Sequence, residues 1–191
     1  QAEALTIVFC NGKGGAGKTT LSILLGCALV DAGQRVGLLD RDPQQTATRW
    51  VKETKAGLRL AVPGERYDVT IIDTPPRLES PALRESLQAA DRVILVSSPS
   101  PADLWTSQDT ARLITTHYRG EKSAVLFNQV QRQTTLAREL PLIGERIGLP
   151  VLSRQVGRRQ AYQHAMLLGW SALDAAAREE ILQVALEIIT F

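Results

Sequence analysis

Cys10-Asn11-Gly12-Lys13-Gly14-Gly15-Ala16-Gly17-Lys18-Thr19-Thr20 is the stretch on which the fold turns. An apolar run, Leu5 to Phe9, leads into it, and a second, Leu21 to Val30, leads away. The order therefore reads strand, glycine-rich loop, helix. The spacing Gly12-x4-Gly17-Lys18-Thr19 is one that lets successive backbone N–H groups turn inward around a phosphate. Gly14, Gly15, Ala16, Gly17, Lys18, Thr19 and Thr20 are then the nucleotide-binding residues. Lys18 reaches the β- and γ-phosphates, the Thr19 hydroxyl ligates Mg²⁺, and the helix opening near Lys18 points its positive dipole end at the anion. A glycine turn without a ligand is the competing reading, and the strand before and helix after weigh against it.

Lys13 adds a second lysine to the loop, giving Lys-Gly-Gly-x-Gly-Lys-Thr-Thr. In this the stretch resembles the deviant Walker A motif of the ParA/MinD family of ATPases. The resemblance implies that Lys13 crosses a dimer interface to the partner's nucleotide, so an ATP-dependent homodimer is expected.

Outward from the loop, Lys18 to Ala32 reads as a helix stopped at Gly33, and Arg35 to Asp40 as the next strand. Asp40, Asp42 and Gln44 follow at a strand end, where open α/β sheets place ligands, although Asp42-Pro43 fits a plain turn equally well. Asp-x-Asp-Pro-Gln also resembles the family's Walker A′ motif. That implies Asp42 positions the attacking water and Asp40 supports the Mg²⁺ shell. Residues 43–64 carry little pattern beyond Trp50 and one short strand, Gly57 to Val62.

Val69 to Asp73 is a continuous apolar strand closed by Asp73-Thr74-Pro75-Pro76. A buried strand ending in Asp is the Walker B arrangement, in which the carboxylate holds Mg²⁺ through water. Arg92 to Ser97 is a further strand, and a helix with Asp103 in its first turn runs to about His117. Trp105 fits core or surface; Pro-Ser-Pro-x-Asp-Leu-Trp is similar to a stretch at the dimer and partner-binding region of small ParA proteins. Ser123 to Asn128 is the next strand. A carboxamide at its end suits an adenine edge or an ordinary turn, and the resemblance implies base recognition by Asn128. Thr135 to Ile147 reads as a helix broken at Pro141, and Pro150 to Leu152 as a short strand. Ser171-x-x-Asp174 reads as a capping box opening the last helix.

Charge is unevenly spread. Residues 111–160 hold nine Lys and Arg against three Glu, a balance of +6 in a chain whose net is +2. Arg154, Arg158 and Arg159 concentrate that charge before a helix and are the candidates for phosphate contacts of nonspecific DNA, with a solvated basic turn as the bland alternative. The last helix carries Glu179, Glu180 and Glu187 against Arg178, which argues against an anionic membrane surface. No apolar run approaches the roughly 20 residues that span a bilayer. Cys10 and Cys27 read as buried residues of a cytoplasmic protein rather than as a disulfide or metal-cluster site.

With 191 residues and 44% apolar content, one domain over 1–191 is expected. Its class is α/β: a doubly wound, mostly parallel sheet with helices on both faces, a P-loop NTPase of deviant Walker A type. The family resemblance implies a small ParA-type ATPase without an N-terminal DNA-reading segment and with slow turnover. Its cofactors are ATP and Mg²⁺, and its ATP dimer sits on the nucleoid. Its hydrolysis is stimulated by a ParB-like or cargo adaptor protein, and the cargo is a plasmid, a chromosome origin or a protein organelle. A biosynthetic P-loop enzyme that activates a small carboxylate is the alternative.

Overall fold

Buried side chains alternate along the first strand, β1 (Leu5–Cys10): Ile7 and Phe9 join one apolar cluster, Val8 and Cys10 another. A strand has a two-residue side-chain period, so four successive buried apolar residues, Ile7 to Cys10, mean that both faces are covered. The computed structural model describes residues 3–54, 57–118 and 120–191. After β1 come α1 (Lys18–Asp31), β2 (Val36–Asp40), α2 (Thr46–Thr54), β3 (Arg59–Leu60), β4 (Val69–Asp73), α3 (Pro81–Ala89), β5 (Arg92–Ser97) and α4 (Pro101–His117). Next are β6 (Ser123–Phe127), α5 (Thr135–Arg138), α6 (Leu140–Ile147), α7 (Gln160–Leu168), a 3₁₀ turn at Trp170–Ala172, and α8 (Ala175–Thr190).

The strands form one sheet in the order β3-β2-β4-β1-β5-β6, and all pairings between these strands are parallel. Parallel neighbours need crossover connections, which is why helices separate the strands. From β1 the chain crosses to β2 on one side, and later returns through β4 to β5 on the other. The direction of winding reverses about β1, and at such a point the loops at the strands' carboxyl ends part into a crevice. Register places the last residues together, with Phe9 opposite Asp73 and Asp73 opposite Asp40.

One face is covered by α1, α2, α7 and α8, whose Leu24, Ala28, Trp50, Ala165, Ile181 and Val184 share a cluster with Ile7, Leu38, Ile71 and Ile94. The other is covered by α3, α4 and α6 through Leu83, Leu87, Ala111, Ile114, Leu140 and Ile143. Burial of each large aliphatic or aromatic side chain contributes roughly 1.5–3 kcal/mol. The two cysteines lie in different clusters, Cys27 in the first and Cys10 in the second. Burial pushes each thiol up to about 12.

Several expectations change in detail. The weakly patterned stretch holds α2, whose Ala47, Trp50, Val51 and Thr54 recur at helical spacing, and Trp50 Nε1 donates to the Ala165 carbonyl at 3.2 Å. The short strand there is two residues, Arg59–Leu60. Pro150 to Leu152 supplies a single bridge, Val151 to Val125. Pro141 sits in the first turn of α6, so the broken helix restarts there. Ser171 lies in the 3₁₀ turn and Asp174 is itself the N-cap of α8, accepting from Ala177 N–H at 2.8 Å; the capping box is not formed. Trp105 is on the surface, 67% exposed.

Candidate functional site

The glycine-rich loop leaves the carboxyl end of β1 and enters α1 at Gly17, whose φ of 83° is left-handed. No side chain caps α1, so its first N–H groups stay available to an anion. Two close approaches fix the loop. A Cβ on Gly12 would lie 2.4 Å from the Thr106 methyl on α4, and one on Gly17 would lie 2.4 Å from Asn128 Nδ2. That Nδ2 donates to the Ala16 carbonyl at 2.9 Å, leaving Oδ1 as the acceptor open to a ligand. Gln129 Nε2 donates to the Gly15 carbonyl at 3.2 Å.

Lys18 and Asp73 meet beneath the loop as a buried ion pair, and Lys18 Nζ also donates to the Thr74 carbonyl at 2.5 Å. The Thr19 hydroxyl donates to Asp73 Oδ2 at 2.8 Å. Burial raises the Asp73 pKa above the ordinary carboxylate range; the charge of Lys18 and the hydrogen bonds from Lys18 and Thr19 act against that. A hydroxyl and a carboxylate facing each other form a hard-oxygen donor pair that fits Mg²⁺. Asp40 is committed elsewhere: Oδ1 accepts from Asp42 N–H at 3.1 Å, and Oδ2 from the Thr48 N–H at 3.0 Å and hydroxyl at 2.9 Å. It therefore holds the loop after β2 against α2 and is not among the cleft-lining residues.

Over the loop opens a cleft of about 280 Å³ lined by Asn11, Gly14, Gly15, Gly17, Lys18, Thr19, Thr20, Asp42, Gln44, Thr46, Pro76 and Gln129. Asn11 is 5% exposed and its Oδ1 has no hydrogen-bond partner, a cost of about 1–3 kcal/mol that a donor entering the cleft would relieve. A second cleft of about 140 Å³ shares Gly17, Thr20 and Gln129 with the first and is lined further by Leu21, Asn128, Gly157, Arg158, Arg159, Tyr162 and Gln163. Two adjoining clefts, one polar over the loop and one beside Asn128, suit the phosphates and the base of a nucleotide respectively.

Lys13 is not among the residues that line its own loop's cleft. Its ammonium pairs with Asp103 Oδ1 at 3.0 Å, and Asp103 is further held by the Ser98 hydroxyl. Of the basic candidates, Arg154 is exposed, Arg158 lines the smaller cleft, and Arg159 is paired with Glu180. The carboxylates of α8 are engaged too: Glu187 accepts from the Ser153 and Arg154 N–H groups at 2.9 and 2.8 Å, and Glu180 is largely buried. Among the described residues no helix is long and apolar enough to cross a membrane.

Sequence reasoning named Lys18, Thr19, Asp42, Asp73 and Asn128, and the structure brings these around the two clefts. It missed Asn11, Thr46, Gln129, Tyr162 and Gln163 as lining residues. Gln129 had a signal, its place directly after Asn128; Tyr162 had none, because only folding brings α7 to the loop.

The model of the CobQ/CobB/MinD/ParA nucleotide binding domain matches residues 7–169. The maintenance of carboxysome distribution protein A of Halothiobacillus neapolitanus is 33% identical, with 98% of this chain and 97% of the relative covered. The protein of the same name from Gloeobacter kilaueensis is 34% identical over 88% of this chain and 83% of its own. The apo McdA structure from Cyanothece superposes with a TM-score of 0.80 at 17% identity, covering 98% of this chain and 100% of that one, a likeness of fold. Loop, sheet order and sequence agree: this chain belongs to the CobQ/CobB/MinD/ParA family of nucleotide-binding domains.

Proposed function

We propose that residues 1–191 work as one ATP-driven positioning switch. Bound ATP brings two copies together, the dimer holds nonspecific DNA, and hydrolysis to ADP and phosphate, stimulated by an adaptor on the cargo, releases it. The observation that carries this reading is the placement of the two loop lysines. Lys18 is buried under the loop on Asp73, whereas Lys13 is turned out to Asp103, 47% exposed and available to a neighbouring copy. A metabolic kinase needs one such lysine; a second, outward one serves a site shared across an interface.

In the chemistry proposed, Asp42 at the cleft wall orients a water in line with the γ-phosphate. Lys18, with the partner's Lys13, neutralises charge growing in the transition state. Mg²⁺ held by Thr19 and, through water, by Asp73 would supply further neutralisation of the β- and γ-phosphates. Among the described residues lining the cleft the acidic one is Asp42, a weak base, and slow intrinsic turnover is expected. The two carboxysome distribution relatives, 33% and 34% identical over most of both chains, favour a protein organelle as cargo over a plasmid.

The test is solution mass and DNA retention with ATP, with ADP and without nucleotide, at two salt concentrations, beside an Asp42→Ala variant. ATP-dependent, salt-sensitive DNA binding by a dimer, made persistent by Asp42→Ala, is the expected result. ATP hydrolysis that ignores DNA and requires a small carboxylate would overturn it in favour of a biosynthetic enzyme.

A further inference from the structure

Glu180 of α8 stands at the centre of a small charge network. Its side chain is 8% exposed and accepts from Arg132, from Arg159 Nε at 3.3 Å, from the Gly157 N–H at 3.2 Å and from the Tyr162 hydroxyl. On the outer side of this network is a cleft of about 580 Å³, wider than either cleft at the loop, lined by Arg132, Arg154 and Arg159 together with Glu179 and Glu180. On the inner side, three of the four donors to Glu180, namely Gly157, Arg159 and Tyr162, also line the smaller cleft beside Asn128. The fourth, Arg132, lies three residues from Gln129, which is bonded to the loop at Gly15 and lines both inner clefts. Between them Val130 is buried and is paired to the same segment, accepting from Arg158 N–H at 3.0 Å and donating to the Val156 carbonyl at 3.1 Å.

A carboxylate held by two guanidinium groups is a built-in competitor for any phosphate that approaches them. We propose that the Arg132–Arg154–Arg159 cleft is a surface for the phosphodiester backbone of duplex DNA, with Glu180 as the internal counter-ion that restrains it until nucleotide fills the smaller cleft. A base entering beside Asn128 meets Gly157, Arg159 and Tyr162 directly, and a shift of those groups loosens the hold of Glu180 on Arg132 and Arg159. Arg132 thereby joins the surface, although nothing in its sequence position marks it. Linkage makes the coupling mutual: DNA on the outer cleft raises nucleotide affinity by the same factor that nucleotide raises DNA affinity. This inference rests on the DNA-binding reading above and names its regulation.

The experiment is anisotropy of a labelled mixed-sequence duplex with the whole chain, as wild type and as Glu180→Gln, with ATP, ADP and no nucleotide, at two salt concentrations. Gln keeps the volume and one acceptor oxygen but replaces the other with an NH2 donor and removes the charge. Glu180→Gln is expected to tighten nucleotide-free DNA binding about tenfold and to shrink the ratio of ATP to nucleotide-free affinity by the same factor. The slope of log affinity against log salt should steepen by about 0.9 for each guanidinium released. Wild type that binds DNA, with a Glu180→Gln variant of unchanged ratio and slope, overturns the counter-ion role alone. Absence of DNA binding by both proteins in every nucleotide state, with ATP still bound, overturns the DNA reading and this inference with it. Arg132→Ala is the second variant. It should weaken DNA binding in the ATP state about tenfold, whereas a purely structural staple would lower the melting temperature and leave DNA affinity unchanged.

Discussion

Replacing Gly17 by alanine tests the loop at its tightest point. At φ 83° an L-residue pays about 1–2 kcal/mol for its Cβ. The new methyl would also stand 2.4 Å from Asn128 Nδ2, so the carboxamide must swing away and its 2.9 Å bond to the Ala16 carbonyl is lost, a further 1 kcal/mol or about that. The sum is about 2–3 kcal/mol. In a chain of this size each kcal/mol moves the midpoint by about 2–4 °C, so Gly17→Ala should melt about 4–12 °C below wild type. Gly14→Ala is the control. A Cβ there meets nothing within 4 Å, and stability should change by no more than about 0.5 kcal/mol. The assay is thermal unfolding of both single variants, Asn128→Ala, and the Gly17→Ala/Asn128→Ala pair. Because both single changes break the same hydrogen bond, the double variant should be about 1 kcal/mol less destabilised than the sum. A Gly17→Ala midpoint within about 1 °C of wild type, or strict additivity in the pair, would refute the reasoning.

Lys18→Ala should abolish ATP binding and also cost about 3–5 kcal/mol of stability, because Asp73 is left buried without its cation. Adding Asp73→Asn should recover most of that loss in denaturant titrations; no recovery would mean that the pair is not what holds Lys18 in place. With thiol pKa values near 12, only about one in ten thousand Cys10 or Cys27 side chains is ionised at pH 8. Iodoacetamide should therefore leave the folded protein unmodified for hours and label both cysteines promptly in urea. Rapid labelling of the folded chain, read by mass spectrometry, would place at least one thiol at the surface.

The phosphate loop was legible because its chemistry is local: spacing within eleven residues dictates where N–H groups and hydroxyls point, whereas Asp40, expected beside Mg²⁺, is turned to Asp42 and Thr48. The alternation of strands and helices was legible for the same reason, most strands being largely apolar; β3, Arg59–Leu60, is the exception. What stayed hidden depends on chain separated in sequence. The helix α2 has two buried side chains, Ala47 and Trp50, and its start is braced by Asp40 from another element, so its own residues announce it weakly. Lys13 and Asp103 are ninety residues apart, and Glu180 collects donors from positions 132, 157, 159 and 162. The acidic residues of α8 read only as an argument against an anionic membrane surface, yet two of them turn inward to hold the basic segment. Charge patterning along a helix does not reveal that.

The bond from Trp50 to Ala165 gives the cleft a mechanical character. One wall is the head of α2, where Thr46 borders the space over the loop; the other is the head of α7, where Tyr162 and Gln163 border the space beside Asn128. Their bodies are cross-tied on the same sheet face by the indole, so the walls work as a single jaw, and widening one side carries the other with it. The indole, 3% exposed, lies at the pivot, where a small slide of one helix along the other changes its surroundings. With Trp105 and Trp170 replaced by phenylalanine, its fluorescence would report a movement of one helix past the other.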